Sequence, residues 1–295
     1  MTFTKEQLEQ TSSIKEAVKL LFNVDLNGRT VLFPEEGMQK EVAEAYNQLG
    51  LSARRETYRQ IAEDFKVRTG CYGANHFNMN VGTIVEVGCG SGLLSLELAQ
   101  QTNGTIIGID VSVDMLKLAY HNAAQREAEK RAEREAFRSQ YPSLFLDSPS
   151  PKDISLCVEF RQGSVYDLPQ LIPEPNLNYI VCRNTLHRFQ DPEKALHTMY
   201  DLLAPGGKIY LRDLKRDAPW EIIVERIGTR WDTPALVEDY IRAMAGMFTM
   251  GEVGELLKTL PASKSIITNG SYQSVSKTSL PEFEQEVEYV VVIEK

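Results

Sequence analysis

Histidine and cysteine are scarce: the 295 residues contain only four of each. No histidine stands at metal-ligand spacing from another histidine or from a cysteine, so no metal site is expected. Cys71, Cys89, Cys157 and Cys182 are far apart and form no C-x-x-C pair. Two of them fall in apolar, strand-like runs, so reduced, buried thiols in a cytoplasmic protein are expected rather than a disulfide framework. Positive charge is also short. The net charge of -9 argues against nucleic acid as a partner, because binding phosphates needs a basic face. No apolar run reaches the roughly 20 residues of a membrane span, and residues 1–20 are polar and mixed in charge, unlike a secretory leader. What is present is ordinary for a globular chain, with 42% hydrophobic and 25% charged residues. That length and composition suit one large domain or a domain with an extension.

The most informative stretch is Ile84-Val85-Glu86-Val87-Gly88-Cys89-Gly90-Ser91-Gly92. It reads as a short apolar strand carrying an acid, three alternating glycines, and then an amphipathic run through Leu93, Leu94, Leu96 and Leu98. That is the first half of a nucleotide-binding βα unit. The dinucleotide pattern G-x-G-x-x-G is not met, because Leu93 occupies the third glycine position. No Lys-Ser/Thr pair follows, so the turn is not a P-loop either. Asp110 closes the next apolar strand at about the ~20-residue distance expected of a ribose-binding acid. A carboxylate there accepts hydrogen bonds from both vicinal hydroxyls. The alternative is that Asp110 only caps the helix beginning near Ser112.

The remainder of the chain alternates strands and helices. Residues 1–82 read as a helical N-terminal extension, with Ser12 or Ser13 capping a first run and further periodic segments near 36–49, stopping at Gly50, and 52–67. The Gly- and aromatic-rich stretch at 70–77 is either a lid or a packed connection. Strands are expected at 105–110, 158–163, 179–182 and 208–213, and a helix opens with Asp191 as its cap and Pro192 in its first turn. Residues 123–138 are Ala-rich and mixed in charge, a solvated extension of the second helix. With the Pro/Ser-rich loop after it, the region 123–153 reads as an insertion. Residues 214–248 carry aromatics and methionines among charges, with helical periodicity from about Pro234, and read as an acceptor pocket or lid, or as core. Two last strands lie near 265–268 and 288–293. This order implies a three-layer, doubly wound α/β fold in the domain 83–295, with a mostly parallel sheet.

The order of parts from about residue 83 to residue 211 is similar to class I S-adenosylmethionine-dependent methyltransferases, of the broad small-molecule, ubiquinone-biosynthesis-like type. The resemblance rests on Glu86 through Gly92, on Gly108-Ile109-Asp110, on Gly163 through Pro169, and on Asn184-Thr185-Leu186-His187 followed by Leu202 through Gly207. It implies a seven-stranded sheet with the last strand antiparallel, and S-adenosyl-L-methionine bound at the carboxyl ends of the strands. By position, Glu86, Gly88 and Gly90 would face the methionine moiety, Asp110 the ribose and Val111 the adenine, with Cys89 also among the cofactor-binding residues. Ser164 and Val165 would border the adenine ring, and Cys182 would approach the amino group through its backbone. Relatives often carry an acid where this chain has Ser164, whose hydroxyl makes a weaker bond.

Methyl transfer needs alignment and exclusion of water, and a base only if the acceptor must lose a proton. His187 is the candidate base, since imidazole changes protonation near neutral pH; the alternative is that it packs or bonds a carbonyl. Asn184 is a candidate to orient acceptor or cofactor. Arg183 and Arg188 are either contacts for an anionic substrate or ordinary surface arginines. The expected partner is a small-molecule acceptor, with no membrane, and with the oligomeric state open and a homodimer among the options. Two other functions stay open: a protein or RNA methyltransferase docking its substrate on the arm at 123–138, and a cofactor-binding regulatory protein that methylates nothing.

Overall fold

A computed structural model describes residues 4–33, 36–52, 54–71, 81–102, 104–141, 156–173, 176–228, 232–271 and 286–295. Four helices precede the sheet: α1 (Lys5–Glu9), α2 (Ile14–Phe22), α3 (Lys40–Leu51) and α4 (Arg55–Thr69). The alternating part runs β1 (Thr83–Val87), α5 (Leu93–Gln101), β2 (Thr105–Asp110), α6 (Val113–Gln140), β3 (Val158–Gln162), α7 (Leu168–Leu171), β4 (Leu177–Arg183), α8 (Pro192–Asp201) and β5 (Leu203–Leu214). It is followed by α9 (Trp220–Gly228), α10 (Pro234–Gly246), α11 (Met250–Leu257), β6 (Lys264–Asn269) and β7 (Glu288–Glu294).

Among the described residues, seven strands form one sheet in the order β3-β2-β1-β4-β5-β7-β6. Strands β1 to β5 are parallel, and β7 lies antiparallel between β5 and β6. Parallel strands covered on both faces must be largely apolar on both faces, which is why β1 carries Ile84, Val85 and Val87 around its one acid, Glu86. Val85, Val87, Ile107 and Ile109 pack on one side with Leu196 and Met199 of α8 and Val253 and Leu257 of α11. Ile84, Ile106, Val181 and Tyr210 pack on the other with Ile61 and Phe65 of α4 and Leu94 and Leu98 of α5. Strand β1 has β2 on one side and β4 on the other, so the direction of winding reverses between β1 and β4. A crevice therefore opens beyond the carboxyl ends of these two strands, where open α/β sheets take their ligands.

The two flanks of the chain meet over this crevice. Leu8, Ala17 and Val18 of α1 and α2 share one apolar cluster with Ile223 and Ile227 of α9 and Val237, Ile241 and Met244 of α10. Arg29 ties the flanks together: its Nε donates to the Gly246 carbonyl at 2.8 Å, and its Nη2 to the carbonyls of Phe189 and His187. A Cβ on Gly246 would stand 2.4 Å from the His187 carbonyl oxygen, so only glycine lets α10 end against the backbone of the β4 exit.

Several boundaries differ from expectation for identifiable reasons. Helix α3 runs through Gly50 instead of stopping there. A Cβ at Gly50 would lie 2.5 Å from Leu93 Cδ1, so this glycine permits close approach of α3 to the start of α5. Strand β5 begins at Leu203, not Lys208, because Leu203 pairs with Leu177 and a register shift then absorbs Pro205-Gly206-Gly207. Helix α9 has no separate expectation; its periodic residues read as part of one aromatic-rich region. Helix α6 is continuous to Gln140, and most of its last four turns are exposed. Asp191 caps α8, its Oδ1 accepting from the Lys194 N–H at 2.9 Å. All four cysteines are free, and Cys71, Cys89 and Cys182 are buried, but Cys157 is exposed, because it precedes β3 at the sheet's edge. Of the stretch 70–77, read as a lid or a packed connection, residues 72–77 lie outside the described residues, as does the loop expected after Tyr141.

Candidate active site

The glycine turn is held by β2. The N–H groups of Gly88 and Cys89 both donate to the Ile109 carbonyl, at 2.7 and 3.0 Å. Gly88 and Gly90 have φ values of 72° and 54°, a region that L side chains rarely enter. A Cβ on Gly88 would also come within 2.3 Å of the Thr185 side chain. The missing side chains let the turn close onto the β4 exit and leave backbone facing the crevice.

Asp110 stands beside this turn with both oxygens oriented. Oδ2 accepts the Gly90 N–H at 2.8 Å and Oδ1 the Ser112 N–H at 2.9 Å. Capping of α6 falls instead to Ser112, whose Oγ accepts the Met115 N–H. Each carboxylate oxygen has two lone pairs, so one on each remains for a vicinal diol. Burial raises the pKa of Asp110, against the lowering effect of the Ser112 and Gly90 N–H groups.

Glu86 is more enclosed, 2% exposed, and accepts a hydrogen bond from the Ser95 hydroxyl of α5. Burial pushes its carboxyl up to about 8, with Ser95 and Arg183 opposing the shift. From the usual value near 4.5 up to about 8, the folded protein holds a proton that the unfolded chain has released. Stability therefore falls as pH rises across that window. The melting temperature of the ligand-free protein is expected to decline between about pH 5 and about pH 8, and Glu86→Gln to flatten the decline. A wild-type profile as flat as the variant's would contradict the burial assigned to this carboxyl.

One cavity of about 450 Å³ joins these groups to the β4 exit. Glu86, Gly88, Cys89, Gly90, Asp110 and Val111 line it from β1 and β2. Ser164 and Val165 line it from the β3 exit, and Asn184 and His187 from the β4 exit. Cys182 does not line it: the side chain is 1% exposed and packs in the sheet core among apolar residues. The Ser164 hydroxyl is drawn into its own turn, accepting the Tyr166 N–H at 3.3 Å, while its backbone N–H donates to Asp167 Oδ2.

His187 forms a buried pair with Asp213. Nδ1 lies 2.6 Å from Asp213 Oδ1, and the His187 backbone N–H donates to Oδ2 at 3.2 Å. Asp213 sits near the carboxyl end of β5 and also accepts the Leu214 N–H at 2.8 Å. An ionised carboxylate only accepts, so Nδ1 carries the proton and Nε2 presents its lone pair. Nε2 is buried and has no hydrogen-bond partner among the described residues, as is Asn184 Oδ1. Asn184 itself adopts φ 50°, with its N–H donating to the Arg212 carbonyl at 2.8 Å. The pair thus offers one oriented, unused proton acceptor in a wall of the cavity.

Sequence reasoning did not find Asp213, nor Tyr46, Arg54, Tyr58 and Arg226, which line the cavity; Tyr240, which lines it too, falls in the region 214–248 that the sequence reads as an acceptor pocket or lid, or as core. Asp213 did leave a signal: like Asp110, it is an acid near the carboxyl end of an apolar strand. The others come from four separate helical regions and share no spacing that a sequence pattern could reveal.

A methyltransferase-domain family model matches residues 36–253. The chain is 23% identical over 140 residues to the arsenite methyltransferase of Halobacterium salinarum, covering 47% of this chain and 28% of that protein. It is 28% identical over 134 residues to the ubiquinone biosynthesis O-methyltransferase of Alkalilimnicola ehrlichii, covering 45% and 42% of the two chains. The chain thus spans less than half the length of either of these curated relatives. Among solved structures it resembles the plantazolicin methyltransferase BamL in complex with a triazolic desmethylPZN analog and SAH, with a TM-score of 0.59 at 15% identity over 99% of this chain and 97% of that one. At that identity the likeness is one of fold. With the family match covering most of the chain and the strand order that places a crevice beyond β1 and β4, the chain belongs to the methyltransferase-domain family and has the class I methyltransferase fold.

Proposed function

We propose that this enzyme transfers the methyl group of S-adenosylmethionine to a nucleophilic atom of a small molecule, with His187 taking up the proton the acceptor loses. The observation that carries this reading is the convergence in one cavity of a glycine turn, an acid with spare lone pairs, and an oriented imidazole with a free nitrogen. The residues fit the donor. Asp110 has acceptor capacity for the ribose hydroxyls, and Gly88 and Gly90 keep side chains off the floor. Val111 and Val165 supply apolar surface for the adenine, with Ser164 beside it. Glu86 and Cys89 border the methionine end. When bound, the donor supplies a methyl group already activated by its sulfonium, so transfer is an in-line displacement.

The protein's share is position, dryness and a proton acceptor. Holding the reacting atoms in line can supply much of the acceleration, up to about 7–11 kcal/mol in well-oriented systems. The flanks 4–33, 220–228 and 234–246 share an apolar cluster beside the crevice, the kind of cover that limits access of water to it. Asp213 fixes the tautomer and direction of His187, so that Nε2 can accept the proton of a hydroxyl or amine as it attacks. Asn184 Oδ1 is placed to accept from the acceptor or from the donor's ammonium. Enclosure on this scale supports a small acceptor over a protein or RNA segment. The test is a screen of small hydroxyl, amine and thiol compounds with methyl-labelled S-adenosylmethionine. Label transferred to one of them, and lost in His187→Ala, is the expected result. Label transferred only to protein or RNA would contradict the small-acceptor reading.

A further inference from the structure

The turn that carries His187 is gripped from outside the sheet. Arg29, between α2 and α3, donates from Nη2 to the carbonyls of Phe189 and, at 3.4 Å, of His187, and from Nε to the Gly246 carbonyl at 2.8 Å. Thr30 holds the same segment down, its N–H donating to the Ala245 carbonyl of α10 at 2.7 Å. The Arg29 guanidinium also lies 4.5 Å over the Phe248 ring. Burial lowers the pKa of Arg29 and Asp213 opposes the shift, so the guanidinium senses the carboxylate that pairs with His187. Other contacts close the grip. Phe33 sets its ring 5.9 Å from the imidazole. Arg188, the residue after His187, lies 3.9 Å over the Phe33 ring and pairs with Asp239 of α10 at 3.1 Å. Arg29 itself is not among the residues that line the cavity, so it acts on the site only through the turn.

We propose that Arg29 is a positioning residue: by binding the carbonyls of His187, Phe189 and Gly246 together, it fixes the turn that aims Nε2 of His187 into the cavity. The proposal rests on the reading of His187 as the proton acceptor. Asp213 meets His187 at two points, the ring Nδ1 and the backbone N–H, and both contacts require one placement of the turn. That turn is a single 3-10 turn, Leu186–Arg188, whose own hydrogen-bond geometry is poor, so its placement depends on outside partners. A guanidinium presents several donors in one rigid plane and can tie several carbonyls at fixed angles, which a flexible ammonium cannot. Without it, part-buried carbonyls lose a donor, and a turn that shifts to regain one carries the imidazole with it. The segment after α2 thereby belongs to the working site, although neither α1 nor α2 lines the cavity.

The experiment is proton–nitrogen NMR of the full chain carrying isotopically labelled histidine. The chain has four histidines, and the signals lost in His187→Ala are those of His187. Wild type is expected to show one tautomer, with the proton on Nδ1. In Arg29→Gln the two ring-nitrogen signals of His187 are expected to move toward one another or to double, as both tautomers become populated once the Asp213 contact is no longer held. Arg29→Lys keeps the charge and one donor group and is expected to restore part of the wild-type pattern. Arg68→Gln is the control for lost stability: Arg68 binds Asp64 at 2.8 Å within α4, and its loss is expected to lower the melting temperature with the His187 signals as in wild type. Unchanged His187 signals in Arg29→Gln would overturn the proposal, and so would equal changes in Arg68→Gln. Gly246→Ala keeps Arg29 but sets a Cβ against the His187 carbonyl oxygen. It is expected to disturb the same signals, and it reads the inference where Arg29→Gln does not fold; unchanged signals there would also overturn it. A wild-type proton on Nε2 would overturn the base reading and this inference together, whereas a wild-type proton on Nδ1 with unchanged signals in Arg29→Gln overturns this inference alone.

Discussion

Asp110→Ala is expected to weaken S-adenosylhomocysteine binding by about a hundredfold, because two hydrogen bonds to a charged carboxylate are lost. Each such bond is worth about 1.5–3 kcal/mol, and about 3 kcal/mol in total corresponds to roughly two decades of affinity. The same carboxylate accepts the Gly90 and Ser112 N–H groups, so the alanine variant also loosens the turn. Asp110→Asn separates the two effects. It keeps an acceptor oxygen for one backbone N–H but cannot accept at both positions, so its affinity is expected to fall between those of wild type and Asp110→Ala. Calorimetry on all three, with melting temperatures alongside, checks this. Equal affinities for wild type and Asp110→Ala would remove Asp110 from the donor site.

His187→Ala is expected to lower kcat with a hydroxyl acceptor by about 10²–10⁴, with donor affinity unchanged. The argument is geometric. Nε2 is the buried ring nitrogen without a partner, and Asp213 holds the other. Asp213→Asn is the sharper probe, since the amide can donate to Nδ1 and drive the proton to Nε2, where it would block acceptance. Its kcat is therefore expected to fall nearly as far as that of His187→Ala, although the ring stays in place. A merely structural role for Asp213 predicts lower melting temperature with kcat near wild type. Turnover of a hydroxyl acceptor by His187→Ala at the wild-type rate would remove the base from the account.

The residues proposed to hold the donor could be picked out in the sequence because they lie close together along the chain. Glu86 through Gly92 and Asp110 belong to one βαβ unit, and the roles proposed for them follow from short spacings and from residue types with few uses. The mostly parallel, doubly wound sheet was legible too, since apolar runs with turn signals at regular intervals permit little else, whereas its antiparallel last strand was implied only by the resemblance. Gly50 misled because a glycine inside a helix looks the same in sequence as one that ends it; the difference is the Leu93 side chain across the gap. Pro205-Gly206-Gly207 misled for a related reason, being part of an irregular strand and not a turn.

The acceptor half was illegible because it is assembled across distance. Tyr46 from α3, Arg54 at the start of α4 and Arg226 from α9 meet only in the folded cavity. Arginine and tyrosine have many surface uses, and nothing in their spacing marks these three. His187 was found but its partner was not, because Asp213 lies on another strand and meets it only through the β4–β5 pairing.

A crystal structure of the protein with S-adenosylhomocysteine tests the central claim most directly. The account predicts the ribose hydroxyls on Asp110, the adenine between Val111 and Val165, and the sulfur facing the space in front of His187 Nε2. Ligand bound with its ribose away from Asp110, or with its sulfur turned away from His187, would contradict it.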